Sequence, residues 1–127
     1  MHYKFRAIKR SEPHRWVYGS LITPQGQSGP VFIEIGKPGS LDVSRYEVIP
    51  ETVGMFTGLH DNYNTEMYGG DLLAFMDRGE KKKKPIVWHG YGFGIQDGLG
   101  GYCLPNGRTI QGTIHDHFLT SKPTTIQ

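Results

Sequence analysis

The chain has 127 residues, a net charge of +2 and a single cysteine, Cys103. This length is enough for one domain with a modest core, and one cysteine excludes an intrachain disulfide, which is typical of a reducing cytoplasm. The mild charge does not by itself indicate a nucleic-acid-binding protein. The sequence also lacks the apolar run of about 20 residues that a membrane helix needs and the apolar core of a secretory signal, so we expect no membrane association.

The proportions of glycine and of apolar residues both predict a small core. The apolar fraction is 36%, and the 18 glycines are more than twice the average usage of about 7%. These values predict short strands and many turns. Because association with a second copy can complete a small core, we expect a homo-oligomer.

The apolar pattern predicts strands along the whole chain. The strand candidates are, in chain order, residues 3–9, 16–23, 31–35, 46–49, 53–57, 72–75, 86–91, 93–95 and 109–117. No segment keeps the 3.6-residue period of an ordinary helix. We therefore predict a mainly β fold with small antiparallel sheets, an SH3-like or similar small β-barrel module in the C-terminal half, and little helix. The chain is assigned one domain, 1–127, with submodules at 1–49 and 50–127.

Several turns between these strands follow from local chemistry. Pro50 suits the first position of a single helical turn. Residues 61–64, Asp-Asn-Tyr-Asn, predict a tight turn, since Asp and Asn bond to their own backbone and tolerate left-handed conformations. Asp71 is expected to accept backbone hydrogen bonds at the start of a strand. Residues 77–85 predict a charged hairpin tip.

The lysine run Lys81–Lys84 has two interpretations. It is either a solvated tip that discourages edge pairing or a set of phosphate contacts. Aromatic side chains on the following strand would supply a platform on which bases stack. The candidate ligand-binding residues are Lys81, Lys82, Lys83, Lys84, Trp88, His89, Tyr91 and Phe93. The nearby glycines at 90, 92 and 94 do not match the spacing of a dinucleotide-binding loop, and they predict close packing or a ligand surface.

His115 and His117 form the candidate metal site. Two residues apart on a strand, they would project from one face and would need a third ligand, such as His60, His89 or Cys103. The alternative is a pair of solvated or hydrogen-bonded histidines. No cofactor is predicted, and Cys103 is expected to be half-buried and not catalytic.

Three stretches of the chain occur in an order that resembles one protein family. The longest reads Pro50-Glu51-Thr52-Val53-Gly54-Met55-Phe56-Thr57-Gly58-Leu59 and continues to Met67-Tyr68-Gly69-Gly70-Asp71. It is preceded by Lys4-Phe5-Arg6-Ala7 with Trp16-Val17-Tyr18-Gly19, and followed by Ile110-Gln111-Gly112-Thr113-Ile114-His115. This pattern resembles the YopX family of small phage and prophage proteins. The resemblance implies a phage or prophage accessory protein acting in the bacterial cytoplasm, and it brings no established chemistry.

The chain departs from the family pattern at a few positions. Met55 stands where the family usually has Gln, and Gly69 where it usually has Glu. Residues 115–118, His-Asp-His-Phe, replace a more typical Tyr-Glu-Asn-Pro. A Glu or Gln at these positions therefore cannot be a catalytic group of this protein.

The sequence shows no nucleophile beside a base, so we predict a protein that is not an enzyme. The expected function is a binding module that engages a host protein or regulatory partner as an oligomer. The alternative is a nucleotide or nucleic-acid binder, for example a phage counter-defence protein that sequesters a host signalling nucleotide. A metal-dependent hydrolase using His115 and His117 is the third hypothesis.

Overall fold

The computed structural model describes residues 4–24, 28–36, 41–89, 92–96, 101–105 and 107–117. The strands, in chain order, are β1 Phe5–Ile8, β2 Trp16–Ile22, β3 Val31–Gly36, β4 Val43–Val48, β5 Gly54–His60, β6 Glu66–Tyr68, β7 Asp71–Asp77, β8 Glu80–Pro85, β9 Val87–Trp88, β10 Phe93–Gln96, β11 Tyr102–Cys103 and β12 Arg108–Thr113. The predicted fold class is confirmed: the fold is mainly β, with small antiparallel sheets and a curled half-barrel sheet. None of the helical segments described is long and apolar enough to cross a membrane.

Contacts divide the chain into two compact units. The first unit comprises residues 1–55 and 115–127, and the second comprises residues 56–114. Strand β5 begins in the first unit and continues into the second. The assignment of one domain with submodules at 1–49 and 50–127 stays a prediction.

In the first unit, the strands form an antiparallel sheet in the order β4-β3-β2-β1-β5. Ala7 lies opposite Val17, and Ile33 lies opposite Tyr46. Because side chains alternate between the two faces of a strand, one face gathers Ala7, Val17, Ile33 and Val48 into a buried core.

The sheet of the first unit curls until the end of β4 meets the end of β1. The N–H of Arg10 donates to the carbonyl oxygen of Glu47 (2.9 Å), and the N–H of Ile49 donates to that of Ile8 (2.9 Å). These bonds pair backbone groups that the outer edge of an open sheet would leave to water. The outer edge of β4 is therefore partly closed by the chain itself.

A single 3-10 turn, Pro50–Thr52, follows β4. Pro50 begins this turn, as predicted, because proline lacks an N–H and has a φ close to the helical value. The Oγ1 of Thr52 accepts a hydrogen bond from the N–H of Ile8 (2.9 Å) and donates to the carbonyl oxygen of Ile49 (2.6 Å). Thr52 is buried, so its hydroxyl links the turn to β1 inside the first unit.

The second unit contains two three-stranded sheets, β12-β7-β8 and β11-β10-β9. Strand β6 pairs with the part of β5 that belongs to this unit, in a ladder that places His60 opposite Glu66. Apolar side chains from these elements form a second core, made of Met67, Leu73, Ile86 and Ile95. This core supports β8, β9 and β10, which carry the predicted ligand residues.

The lysine run lies in a strand, and the prediction of a hairpin tip at residues 77–85 is wrong. The turn between β7 and β8 consists of Arg78 and Gly79, whose φ angles are 53° and 82°. Positive φ at both central residues is what a tight two-residue hairpin of this kind requires. Glu80, the first residue after the turn, therefore pairs with Asp77, and the lysines that follow continue the ladder opposite β7.

The strand predicted at 109–117 is shorter than expected. Strand β12 ends at Thr113, His115 lies in the turn that follows, and His117 lies in a helical turn. Gly112 has a φ of 95°, and the register of β12 against β7 shifts beside it. The prediction that His115 and His117 project from one face of a strand is therefore wrong, because both residues lie beyond the strand.

Candidate functional site

Strand β8 is one of the two outer strands of its sheet, and its lysines alternate in exposure. Lys81 and Lys83 are exposed, whereas the Nζ of Lys82 donates to Oδ2 of Asp77 (2.7 Å). This hydrogen bond, followed by the attraction of the two charges, raises the pKa of Lys82 and lowers the pKa of Asp77. Lys82 is thus paired within the hairpin, whereas Lys81 and Lys83 place their positive charges at the exposed edge of the sheet.

A groove of about 310 Å³ lies at the end of β8. It is lined by Lys84, Pro85, Val87, Gln96 and Tyr102. The Nζ of Lys84 donates to the carbonyl oxygen of Gln96 (2.8 Å), which fixes the lysine across the groove. Val87 and Tyr102 are partly exposed, at 37% and 43%. The groove therefore combines apolar walls with a lysine and a side-chain amide.

Trp88 and Phe93 form an aromatic pair on β9 and β10. They face each other across the β9–β10 ladder, with ring centroids 5.1 Å apart and planes at 67°. Trp88 is 58% exposed. A tryptophan that a neighbouring ring orients but leaves accessible is the residue type that most often anchors a binding partner.

A second aromatic pair, His89 and Tyr102, is stacked. The ring centroids are 4.6 Å apart and the planes differ by 12°. The N–H of His89 also donates to the carbonyl oxygen of Gly92 (3.1 Å), which fixes the backbone beside the ring. The pair presents a flat aromatic wall within the second unit.

Glycine at position 94 serves strand packing, which is one of the two predicted alternatives. A Cβ on Gly94 would lie 3.1 Å from the carbonyl oxygen of Cys103, so β11 approaches β10 closely at this point. A Cβ on Gly92 would meet nothing within 4 Å. The close approach brings Tyr102 opposite Gln96 and so completes the groove.

The structure thus places most of the predicted ligand residues on or beside the neighbouring strands β8, β9 and β10, and these strands and β11 add others. Tyr91 lies outside the described residues, as do residues 97–100, which follow β10. The sequence did not single out Val87, Gln96 or Tyr102, since only the pairing of the short strands β9 and β11 with β10 brings them together. We call the combined set the β8–β11 surface; its members are Lys81, Lys83, Lys84, Pro85, Val87, Trp88, His89, Phe93, Gln96 and Tyr102.

His115 and His117 belong to the first unit, whereas His60, His89 and Cys103, the three proposed additional ligands, belong to the second. The ring of His115 lies edge-on to Trp16, with centroids 6.4 Å apart. Burial, followed by the nearby charges of Arg6 and His117, lowers the pKa of His115. The lowered pKa favours the neutral form of the His115 imidazole. Among the described residues, no three His, Cys, Asp or Glu side chains are grouped as a metal site.

We expect added zinc to leave the melting temperature of the protein unchanged. A native-state ligand raises the melting temperature by mass action, and a pair of histidines supplies only half of a tetrahedral zinc shell. A thermal scan with zinc at tenfold excess over protein, repeated with a chelator, is the measurement. A zinc-dependent rise that His115→Ala abolishes would contradict this expectation and restore the metal-site hypothesis.

Cys103 is exposed, and the prediction that it is half-buried is wrong. It lies on β11, which is an edge strand of its sheet in the part of the chain that the structure describes.

The carboxylates of Asp61 and Asp71 maintain turns, as predicted. The Oδ2 of Asp71 accepts a hydrogen bond from the N–H of Tyr68 (2.7 Å). The carboxylate of Asp61 accepts from three backbone N–H groups. Phe56 packs against Tyr68 with ring centroids 5.5 Å apart. Neither carboxylate belongs to the β8–β11 surface.

Comparison with known proteins gives no relative for this chain: no family, no curated protein and no solved structure matches it. The geometry of the β8–β11 surface is therefore the basis for assigning a function.

Proposed function

We propose that the protein is a non-enzymatic binding module that holds a protein partner on the β8–β11 surface. The observation that carries this proposal is the groove at the end of β8, together with the exposed ring of Trp88 on β9, the strand that contributes Val87 to the groove. Exposed aromatic residues around a concave site are typical of protein interfaces, where tryptophan and tyrosine contribute most of the binding energy.

The lining of the groove supports binding over bond-making chemistry. Lys84, Gln96 and Tyr102 supply an amine, an amide and a phenol, and Val87 supplies apolar contact. The amine of Lys84 is already hydrogen-bonded to a backbone carbonyl, so it is held in the position of a contact group. These groups orient a partner by hydrogen bonds and van der Waals contact.

A nucleotide or single-stranded nucleic acid is the second candidate ligand. The stacked pair of His89 and Tyr102 favours it, because flat aromatic surfaces bind bases, and Lys81 and Lys83 would contact phosphate. In this form, the protein would sequester a host signalling nucleotide as a phage counter-defence protein.

The biological setting is also part of the proposal. The resemblance to the YopX family supports a phage or prophage accessory protein that acts in the bacterial cytoplasm. Assembly into a homo-oligomer is supported by accessible apolar side chains in the first unit, since a second copy would cover them. These side chains are Ile35, Leu41 and Val43, with exposures of 40%, 100% and 49%.

The test is partner capture by the immobilised protein, compared between the wild type and two variants. Trp88→Ala removes the accessible ring of the proposed surface, and Tyr63→Ala removes a ring that is 80% exposed but lies on the turn after β5. We expect Trp88→Ala to weaken binding of a captured bacterial protein by about tenfold or more, as at other interface tryptophans, and Tyr63→Ala to leave it unchanged.

The same variants are measured against a short oligothymidine by fluorescence anisotropy. Oligothymidine binding that depends on Trp88, without a protein partner, would favour the second candidate. Equal capture by the wild type, Trp88→Ala and Tyr63→Ala proteins would contradict the proposed function.

A further inference from the structure

We infer that the partner contributes an acidic, extended segment that pairs as an additional strand with the outer edge of β8. This inference rests on the proposed function and names the kind of partner that the β8–β11 surface takes. Its basis is the direction of the backbone groups along β8, the charge of that strand and the groove at its end.

The ladder with β7 determines which backbone groups of β8 point outward. The N–H of Ile86 donates to the carbonyl oxygen of Asp71 (2.8 Å). In an antiparallel pair, hydrogen-bonded positions recur at every second residue, so Lys84 and Lys82 also direct their backbone groups toward β7. Lys81 and Lys83 therefore direct their N–H and C=O groups away from β7, at the open edge of the sheet.

An outer edge with this pattern is a template for another strand. A strand paired through Lys81 and Lys83 would place its own side chains directly opposite theirs. Since both lysines are exposed, Asp or Glu at these opposite positions would form cross-strand ion pairs.

The positive charge of β8 also disfavours pairing with the β8 strand of a second copy of the chain. Four consecutive lysines, Lys81 to Lys84, would then face four others across the new ladder. Like charges directly opposite each other destabilise a strand pair, and lysine is the residue that natural edge strands use to prevent self-association. The same side chains attract an acidic strand, so the edge selects its partner by charge.

The groove extends this edge. Lys84 and Pro85 belong both to β8 and to the groove lining, so a strand that follows β8 past Lys83 reaches the walls formed by Val87 and Tyr102. Pro85 has no N–H, and the ladder ends there. Beyond the ladder, an apolar side chain of the partner would enter the groove.

The outer strand of the first unit does not offer the same template. The carbonyl oxygen of Glu47 in β4 already accepts from the N–H of Arg10. Strand β4 also carries both Arg45 and Glu47, so it has no uniform charge with which to select a partner.

The test uses synthetic peptides of about eight residues with alternating Glu and Val, matched to β8 at about 3.4 Å per residue. Binding is measured by fluorescence anisotropy with the full chain at low salt. If Glu lies opposite Lys81 and Lys83, the Glu N–H groups point at β8. N-methylation of the Glu amides should therefore weaken binding by about tenfold or more, and N-methylation of the Val amides should leave it unchanged.

Charge reversal supplies an independent readout. Lys83→Glu should weaken binding of the Glu–Val peptide by about tenfold, whereas Arg15→Glu, an equal change in charge at an exposed position of the first unit, should have little effect. The double variant Lys81→Glu/Lys83→Glu should bind a Lys–Val peptide instead.

The possible results distinguish failure of the acidic-strand inference from failure of the proposed function. Binding that is insensitive to both methylations, or equal losses with Lys83→Glu and Arg15→Glu, would overturn strand addition at β8. Oligothymidine that binds and is displaced by no peptide would overturn it in favour of nucleic acid. If no peptide binds but a captured protein still requires Trp88, the proposed function stands and the acidic strand is rejected.

Discussion

Asp61→Ala is expected to lower the free energy of unfolding by about 3 kcal/mol, because the carboxylate is the acceptor for several backbone donors. Its Oδ1 accepts from the N–H groups of Tyr63 and Thr65, each at 2.9 Å, and its Oδ2 accepts from that of Ile110 at 2.9 Å. The first two bonds close the turn after β5, and the third links that turn to β12 within the second unit. Alanine would leave all three donors without this acceptor.

The contribution of Asp61 to stability depends on pH, and the shift of its pKa determines whether stability rises or falls with pH. Burial opposes ionisation, but the hydrogen bonds from Ile110, Thr65 and Tyr63 outweigh it and lower the pKa of Asp61. Because the pKa of Asp61 is lower in the folded state, its ionised carboxylate contributes its full share to the free energy of unfolding above the ordinary Asp pKa of about 3.9. That share is lost as the pH falls through the folded-state pKa. The difference between wild type and Asp61→Ala should therefore shrink in acid.

Urea unfolding at neutral pH and in acid measures this difference, and two variants serve as controls. Asp61→Asn keeps one acceptor oxygen and should fall between wild type and Asp61→Ala. Glu80→Ala removes an exposed carboxylate from the second unit and should change the free energy by no more than about 0.5 kcal/mol. An unfolding midpoint for Asp61→Ala equal to that of the wild type would contradict the role given to this turn.

Thr52→Val should lower the free energy of unfolding by about 2 kcal/mol, although it hardly changes the shape of the side chain. The buried hydroxyl bridges the N–H of Ile8 and the carbonyl oxygen of Ile49. Valine would leave the N–H of Ile8 buried without this acceptor, whereas the carbonyl oxygen of Ile49 keeps the backbone N–H of Thr52 as a donor (3.0 Å). A buried group left unpaired costs more than a hydrogen bond gains.

Thr57→Val is the matched control for this substitution. The hydroxyl of Thr57 accepts a hydrogen bond from the N–H of Leu59 (3.1 Å) in an exposed position, where water can replace it. We expect its effect to stay within about 0.5 kcal/mol. Equal unfolding midpoints for the two threonine variants in a urea titration would show that the Thr52 bridge is not required.

The turns were predictable from the sequence because their chemistry is local. Pro50 begins a helical turn, and Asp61 and Asp71 accept from donors a few residues away. The donor at Ile110 was not predictable, since it is distant along the chain and reaches Asp61 only after the second unit folds.

The lysines were harder to place, because four like charges in a row are typical of a solvated tip. The position of the turn at Arg78–Gly79 puts them in a strand instead. Composition could identify the basic character of residues 81–84, but only the hairpin register shows which lysines direct their backbone outward.

Pairing between short strands determines the rest of the β8–β11 surface. Tyr102 and Gln96 face each other across β10 and β11, and Trp88 faces Phe93 across β9 and β10. Strands of this length have too few residues for a periodic pattern, so the sequence identified Trp88 and Phe93 as aromatic residues and missed Tyr102.

Backbone hydrogen exchange of the complex with the captured partner tests most directly whether the β8–β11 surface holds that partner. We expect the amides of Lys81 and Lys83 to exchange quickly in the free protein and to become protected in the complex, while the amides of Ser44 and Arg45 on β4 in the first unit keep their rates. Unchanged exchange at Lys81 and Lys83, together with new protection confined to the first unit, would contradict the proposed binding surface.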